Sequence, residues 1–311
     1  MKFIIGWLLF AVASNPTGLR AEFASLDESL VKSESQYHDI VAGTEKTIRW
    51  YNNSKVKTAY SIVYIHGFSA SRQELSPTTE LLADKIGANV FYARLSGHGR
   101  SDDAMAEATV STWKQDAMEA LNLGARIGEK VILVSASTGS TLATWLQTSR
   151  LAGNPINQIA ANIMVSPNFG VKNSSAKILT WPGGLTIAKW INSDYKTFKP
   201  ENELHSLYWT ERYPLEAVVP MLELVEEVFE LDKSSLTIPQ LLVYSPRDRV
   251  VDVDKIKQVA TQFSSASVSV YPFTESLDPS QHVLSGDACS PNSTATMVNL
   301  MADYISNDFT L

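Results

Sequence analysis

Val131-Ile132-Leu133-Val134 runs into Ser135-Ala136-Ser137-Thr138-Gly139 and on into Leu142-Ala143-Thr144-Trp145-Leu146. The stretch reads as a buried strand, a sharp turn of small residues and a helix, with Ser137 at the apex. An elbow of this kind forces its central residue into a strained conformation, and only small neighbours let strand and helix pass close together. The strain lifts the serine hydroxyl clear of the backbone, where a base can reach it. The usual pattern is G-x-S-x-G; Ser135 stands in the first glycine position, so a hydroxymethyl group must fit where strand and helix cross.

Outward from the elbow, strands and helices alternate, which implies a largely parallel sheet covered on both faces. Ile40 to Ala42 and Lys46 to Tyr51 read as an opening hairpin, and Tyr60 to Ile65 as a strongly apolar strand. A helix over Thr78 to Ile86, a strand over Asn89 to Ala93 and a helix over Thr109 to Ile127 lead to the elbow strand at Lys130 to Val134. Ile159 to Val165 is a further buried strand, and the alternation stops at Pro167. It resumes at Pro239 with Leu241 to Tyr244, a helix near Val253 to Phe263, the strand Ser267 to Tyr271 and a last helix from Ser293 to Ile305. The block between holds three of the seven tryptophans and a helical stretch with Leu215, Val218, Val219, Leu222, Val225 and Phe229 on one side. Residues 170–236 therefore read as a cap inserted over the sheet, with residues 36–169 and 237–311 as the core.

A chain of 311 residues with 44% hydrophobic and 19% charged residues can bury a sizeable core. A formal net charge of -7, with no cluster of Lys and Arg, argues against nucleic acid as a partner and leaves neutral esters and lipids open. Met1-Lys2 followed by the apolar run Phe3 to Val12 has the form of an export signal within residues 1–24. Ala11-Val12-Ala13 has the small-x-small form of a cleavage site, with cuts after Ala21 or Ala24 as later options; an uncleaved membrane anchor is the alternative. The expected location is periplasmic or secreted. The polar segment from Glu22 to Ser35 is expected to wrap the surface. Cys289 is the only cysteine, so no internal disulfide can form, and the plain reading of it is a part-buried free thiol. No paired His/Cys spacing suggests a metal, and no cofactor is expected.

A serine nucleophile needs a base, and the base needs an acid that holds its tautomer. For an elbow serine in an α/β sheet the chain order is Ser, then Asp or Glu, then His. His38, His66 and His98 precede Ser137, and His205 lies inside the insertion, which leaves His282. Asp248, just past the strand Leu241 to Tyr244, is the first candidate acid. Asp252 is the runner-up, though it stands where an N-cap belongs, and Asp278 is close in sequence to His282. An oxyanion needs two backbone N–H donors. Thr138, at the start of the elbow helix, supplies one; Phe68, in the loop His66-Gly67-Phe68-Ser69, supplies the other.

His66-Gly67-Phe68, Ala93-Arg94-Leu95-Ser96-Gly97-His98-Gly99-Arg100-Ser101, the Ser137 elbow, and Asp248 with Gln281-His282-Val283-Leu284 together resemble the α/β-hydrolase family. The likeness is to its monoacylglycerol lipase, lysophospholipase and serine aminopeptidase-like branch, over roughly residues 58–310. It implies the α/β-hydrolase fold: a mostly parallel central sheet with helices on both faces and a helical cap. The family's triad would fall on Ser137, Asp248 and His282 and its oxyanion donors on Phe68 and Thr138, while His98 would shape a loop. The implied activity is serine ester hydrolysis through an acyl-enzyme, on short to medium acyl esters or monoacylglycerols, with peripheral membrane contact compatible with such substrates. A thioesterase, an acyltransferase and a peptidase share this machinery, and a ligand-binding homologue without turnover is the alternative of another class.

Overall fold

The structure, a computed structural model, describes residues 16–149, 155–191 and 193–308. In chain order the elements are α1 (Pro16–Glu34), β1 (Thr47–Arg49), β2 (Thr58–Ile65), α2 (Thr78–Ile86), β3 (Asn89–Tyr92), α3 (Val110–Ile127), β4 (Gly128–Ala136), α4 (Thr138–Thr148) and β5 (Ile159–Val165). Then come α5 (Gly184–Ile191), β6 (Tyr195–Thr197), α6 (Glu203–Tyr208), β7 (Arg212–Pro214) and α7 (Val218–Glu230), before β8 (Gln240–Tyr244), α8 (Val253–Gln262), β9 (Val268–Pro272) and α9 (Thr294–Asp308).

Seven strands pair in the order β1-β3-β2-β4-β5-β8-β9, all parallel except β1. Side chains alternate across a strand, and here both faces are apolar. In β2, Val63 and Ile65 join Trp113, Leu121, Leu142 and Ile256 on one side, while Ile62 and Tyr64 join Leu82, Met297, Met301 and Ile305 on the other. The first side is covered by α3, α4, α7 and α8 and the second by α2 and α9. Gly124 lets α3 lie flat on the sheet: a Cβ there would stand 2.3 Å from Val63 Cγ2. Thr109 caps α3 through a reciprocal capping box with Thr112.

Two expectations change. The opening hairpin does not form: residues 40–42 carry no strand, Val41 N–H donates to Gly99, and β1 pairs instead with the distant β3. Glu22 to Ser35 is not a surface wrap. It lies mostly within α1, which buries Phe23, Leu26 and Leu30, with the Phe23 ring 5.3 Å from that of Trp50. These three residues recur at helical spacing, so few apolar side chains suffice to dock a polar segment. The expected export signal falls mainly on residues 1–15, outside the described residues, and the cuts after Ala21 and Ala24 would fall inside α1. Among the described residues no helix is long and apolar enough to cross a membrane.

Residues 170–236 add no strand to the main sheet; their β6 and β7 form a separate antiparallel pair. Tyr213 of β7 packs edge-on against Phe68, with ring centroids 5.2 Å apart, so the insertion touches the loop after β2.

Candidate active site

The elbow forms as its residues dictate. Ser137 has φ 48° and ψ -119°, a strained combination for a residue with a side chain. The surroundings over-determine it: Ser137 N–H donates to Val165 O at 3.0 Å, and its carbonyl accepts from Ser140 and Asn168 N–H. Gly139 is required by contact, since a Cβ there would stand 2.1 Å from the Ile65 carbonyl oxygen. Ser135 fits where a glycine is usual because its hydroxyl finds partners, 3.1 Å from Ser140 Oγ and 3.3 Å from Ile163 O.

Asp248 and His282, separated by 34 positions in sequence, meet with Nδ1 2.8 Å from Oδ2. The other Asp248 oxygen accepts the N–H groups of Val250 and Val251 at 2.8 and 2.9 Å, which fixes the carboxylate plane. Asp252 is instead the N-cap of α8, accepting from Asp254 N–H. The His282 loop is held by Asp278, whose Oδ2 accepts from both His282 and Val283 N–H at 2.8 Å. Gln281 sits at φ 56° there, and Arg249 N–H donates to Ser280 O, tying the two loops together. The link to the elbow runs through β5: Val165 accepts from Ser137 N–H, and the next residue, Ser166, donates its hydroxyl to His282 O at 2.6 Å. Burial opposes the imidazolium of His282, but the carboxylates of Asp248, Glu74 and Asp278 outweigh it, so its pKa lies above the ordinary value.

The loop after β2 is set by two side chains. Leu95 N–H donates to His66 Nε2 at 3.1 Å, so the proton of this neutral ring sits on Nδ1, which donates to the Gly67 carbonyl at 2.8 Å. Burial depresses the His66 pKa to about 4 and keeps the ring neutral. The Gly67 carbonyl and the Phe68 N–H belong to one trans peptide and point opposite ways. Anchoring the carbonyl on His66 therefore turns the Phe68 N–H away from it. Glu74 accepts the preceding Gly67 N–H at 2.7 Å and the Tyr64 hydroxyl at 3.1 Å. A Cβ on Gly67 would stand 2.9 Å from Glu74 Oε1 and 3.0 Å from Ser137 Cβ, so glycine lets the loop, the carboxyl and the elbow crowd together. Burial raises the Glu74 pKa, against the pull of Gly67 N–H, His282 and the Tyr64 hydroxyl. Thr138 N–H stands in the first turn of α4, where amides have no intrahelical acceptor.

Sequence reasoning missed Glu74, and it weighed Asp278 only as a candidate acid, not as the residue that holds the His282 loop. Asp278 had a signal in its place four residues before His282 in a turn-rich loop; Glu74 had none, because its contacts are tertiary. His98 is buried, with Nδ1 3.1 Å from Ser96 O and its ring against His66, Phe68 and Trp113. Cys289 is buried, which pushes its thiol up to about 12 and leaves it unreactive.

A strand-turn-helix elbow at the end of the central strand β4, with an Asp–His pair on the loops after β8 and β9, defines an α/β-hydrolase. Residues 57–275 match the model of the serine aminopeptidase S33 family, and the chain belongs to that family. No curated protein matches it. Among solved structures, one from work on LipS and LipT, two metagenome-derived lipolytic enzymes, superposes with a TM-score of 0.66 at 19% identity, covering 86% of this chain and 99% of that one. A soluble variant of monoglyceride lipase from Saccharomyces cerevisiae, bound to a substrate analog, gives 0.61 at 13% identity, over 86% and 92% of the two chains. The monoacylglycerol lipase of Paleococcus ferrophilus gives 0.56 at 10% identity, over 85% and 100%. At these identities the likeness is one of fold.

Proposed function

We propose that the protein is a serine carboxylic ester hydrolase that works through an acyl-enzyme on short to medium acyl esters or monoacylglycerols. The observation that carries this reading is the Asp248–His282 hydrogen bond of 2.8 Å, made on loops knitted to the Ser137 elbow. With His282 Nδ1–H donating its hydrogen bond to Asp248, Nε2 is the free base. It takes the proton from Ser137 Oγ as the oxygen attacks the ester carbonyl. The oxyanion that forms is received by the N–H groups of Phe68 and Thr138, a donor pair of which each member is worth roughly 3 kcal/mol in the transition state. His282 then protonates the leaving alcohol, and the acyl group remains on Ser137. In the second half His282 activates water, which attacks the acyl-enzyme, and the acid departs.

The similar folds named above include a monoglyceride lipase and a monoacylglycerol lipase, which supports an acylglycerol substrate. The apolar insertion 170–236, which packs on Phe68, is read as a cap over an acyl-binding pocket. The family's own description favours a second reading, a peptidase that releases an N-terminal residue. The two separate on one experiment: turnover of p-nitrophenyl esters from acetate to palmitate beside aminoacyl p-nitroanilides, with fluorophosphonate labelling of the nucleophile. Ester turnover with an alcohol burst, labelling at Ser137, and loss of both in Ser137→Ala are expected. Anilide turnover that exceeds ester turnover would replace the esterase reading with the peptidase one. Labelling without turnover on either substrate class would favour a binding homologue. Export is proposed on the apolar run Phe3 to Val12; N-terminal sequencing of protein from the cell envelope fraction checks it.

A further inference from the structure

Thr138 carries a second donor. Its backbone N–H is one of the two proposed for the oxyanion, and its side chain is buried in the first turn of α4. The hydroxyl accepts a hydrogen bond from Asn168 Nδ2 at 3.3 Å. The sense of that bond is fixed by the other end of the amide. Asn168 Oδ1 takes Gly170 N–H, also at 3.3 Å, so the nitrogen is the atom turned toward Thr138. An amide nitrogen only donates, which leaves the Thr138 proton to be given elsewhere. Among the described residues it meets no acceptor. Further along α4 the contrast is plain: Thr141 gives its proton to Asn168 O at 2.6 Å and Thr144 to Ser140 O at 2.9 Å.

Covalent geometry says where this proton lies. A threonine Oγ1 stands about 3–4 Å from its own backbone nitrogen. Helical side chains also lean toward the helix N-terminus, where the free amides open. Here that end is the elbow, with Ser137 the residue before. Asn168 is locked to the same elbow: its N–H donates to Ser137 O at 3.1 Å, and its second amide proton lies toward Met221 Sδ at 3.4 Å, a weak acceptor. It therefore holds the Thr138 hydroxyl by the oxygen and leaves the proton side open. A buried hydroxyl without an acceptor costs the resting protein free energy, and the cost is offset only when an acceptor arrives beside it. We propose that the Thr138 hydroxyl is a third oxyanion donor, next to the N–H groups of Phe68 and Thr138, and that Asn168 positions it. As Ser137 Oγ bonds to the carbonyl carbon, the C=O electron pair moves onto the oxygen. The hydroxyl then donates a hydrogen bond to that oxygen and keeps its proton, and the bond weakens when the carbonyl re-forms and the alcohol leaves. The inference rests on the acyl-enzyme reading of Ser137, and it applies to an ester and an anilide alike, since both pass through this oxyanion.

The experiment compares three variants of the full chain. Thr138→Val keeps the shape and the backbone N–H but removes the hydroxyl, and Thr138→Ser restores it. Asn168→Asp keeps an oxygen for Gly170 N–H and turns a second one toward Thr138, where it would take the proton for itself. The readings are kcat and KM for p-nitrophenyl butyrate, the rate at which a fluorophosphonate phosphonylates Ser137, and thermal melts. Thr138→Val should lower kcat and the phosphonylation rate by roughly 10- to 100-fold with KM nearly unchanged. Thr138→Ser should stay within about threefold of the wild type, and Asn168→Asp should fall with the valine variant. If valine lowers the melt, Thr138→Ala with the same serine control takes its place. Equal kcat in the valine variant and the wild type would overturn the proposal. A rise in KM alone would overturn it too, because the hydroxyl would then bind substrate only before reaction. So would failure of serine to restore turnover at an unchanged melt, which would make the side chain a packing element. A wild type that hydrolyses neither ester nor anilide would remove the acyl-enzyme reading instead, and the phosphonylation rates, which need only the nucleophile and its oxyanion site, would then decide the role of Thr138.

Discussion

The loops at the carboxyl end of the sheet and the segment around α5 treat their residues in opposite ways. The first buries polar groups and satisfies them: Asp248 accepts three hydrogen bonds, two of them from amides, and Asp278 holds the amides of His282 and Val283. The second exposes apolar groups to solvent, with Trp190 88% accessible. Each is the costly choice for a folded chain. Buried polar groups are worth their desolvation only when every bond is made, and exposed tryptophans contribute nothing to the fold. The difference teaches where the fold is specified: one region is held by satisfied polar bonds, the other stands outside the packing. Breaking the first should therefore be drastic, and breaking the second should be silent in the isolated protein.

The largest effect is expected from Asp248→Asn. The asparagine carbonyl can keep the Val250 and Val251 amides, which leaves its NH2 group facing His282 Nδ1. That forces the imidazole proton onto Nε2 and removes the base, so kcat should fall on the order of 10⁴-fold with the fold intact. Steady-state kinetics with p-nitrophenyl esters, beside an unchanged circular dichroism spectrum, checks it. A loss below tenfold would move the acid to another residue, and Asp252→Asn would then be the variant that cripples turnover.

Next comes Glu34→Ala, read as stability. Glu34 closes α1 and receives Arg94 in a two-pronged pair at 2.7 and 2.8 Å, both side chains being buried. Lys46 N–H donates to the same carboxylate at 3.0 Å, and Tyr37 lies under the guanidinium. Removing the anion leaves Arg94 buried and unpaired, a change of about 3–5 kcal/mol. Urea unfolding measures it. A loss of under about 1 kcal/mol, the range of a surface pair, would mean that α1 is not docked as described.

How far the sequence was legible follows from the same contrast. The run from β2 to β5 and from β8 to α9 could be read because buried parallel strands are continuous apolar runs and their helices carry clear spacing and caps. Ser137 was legible from the small residues around it, and Asp248 and His282 from chain order. Other features depended on partners far away in sequence. The docking of α1 rests on three apolar residues, the Glu34–Arg94 pair and the bonds of Asp27 to Trp50 and Lys55, long-range contacts with no local pattern. β1 has too few residues to show alternation and takes its partner from β3. Glu74 could not be placed because what makes it matter is its approach to Gly67 and the elbow. Gly67 itself could be guessed as a turn residue, but not as the place where loop, carboxyl and elbow crowd together.

A smaller effect is expected from Glu74→Gln. The amide oxygen can still accept from Gly67 N–H and the Tyr64 hydroxyl, so the loop keeps its tether. The charge near His282 is lost. His282 sits above its ordinary pKa because Asp248, Glu74 and Asp278 together outweigh burial, so losing one anion lowers it. The base is then free at lower pH, and the acid limb of kcat/KM should move down the pH scale. A pH–rate profile of wild type and variant reads this directly. A limb that stays in place would show Glu74 to be only a tether, uncharged while the enzyme works.

The smallest effect is the one expected of the exposed face. Trp190→Ser removes a large side chain, yet at 88% exposure that side chain has almost nothing to lose by leaving. Substitutions at such positions fall within about 0.5 kcal/mol, including the slight cost in helix propensity. Urea midpoints and thermal melts of Trp190→Ser and the parent should coincide. A fall of several degrees in the melt would show that the isolated protein covers Trp190, whether with another part of the chain or with a second copy. The opposition between a satisfied polar site and an exposed apolar face would then fail at its second half. A coincident melt would sharpen it, since a residue that large would then be shown silent in the fold.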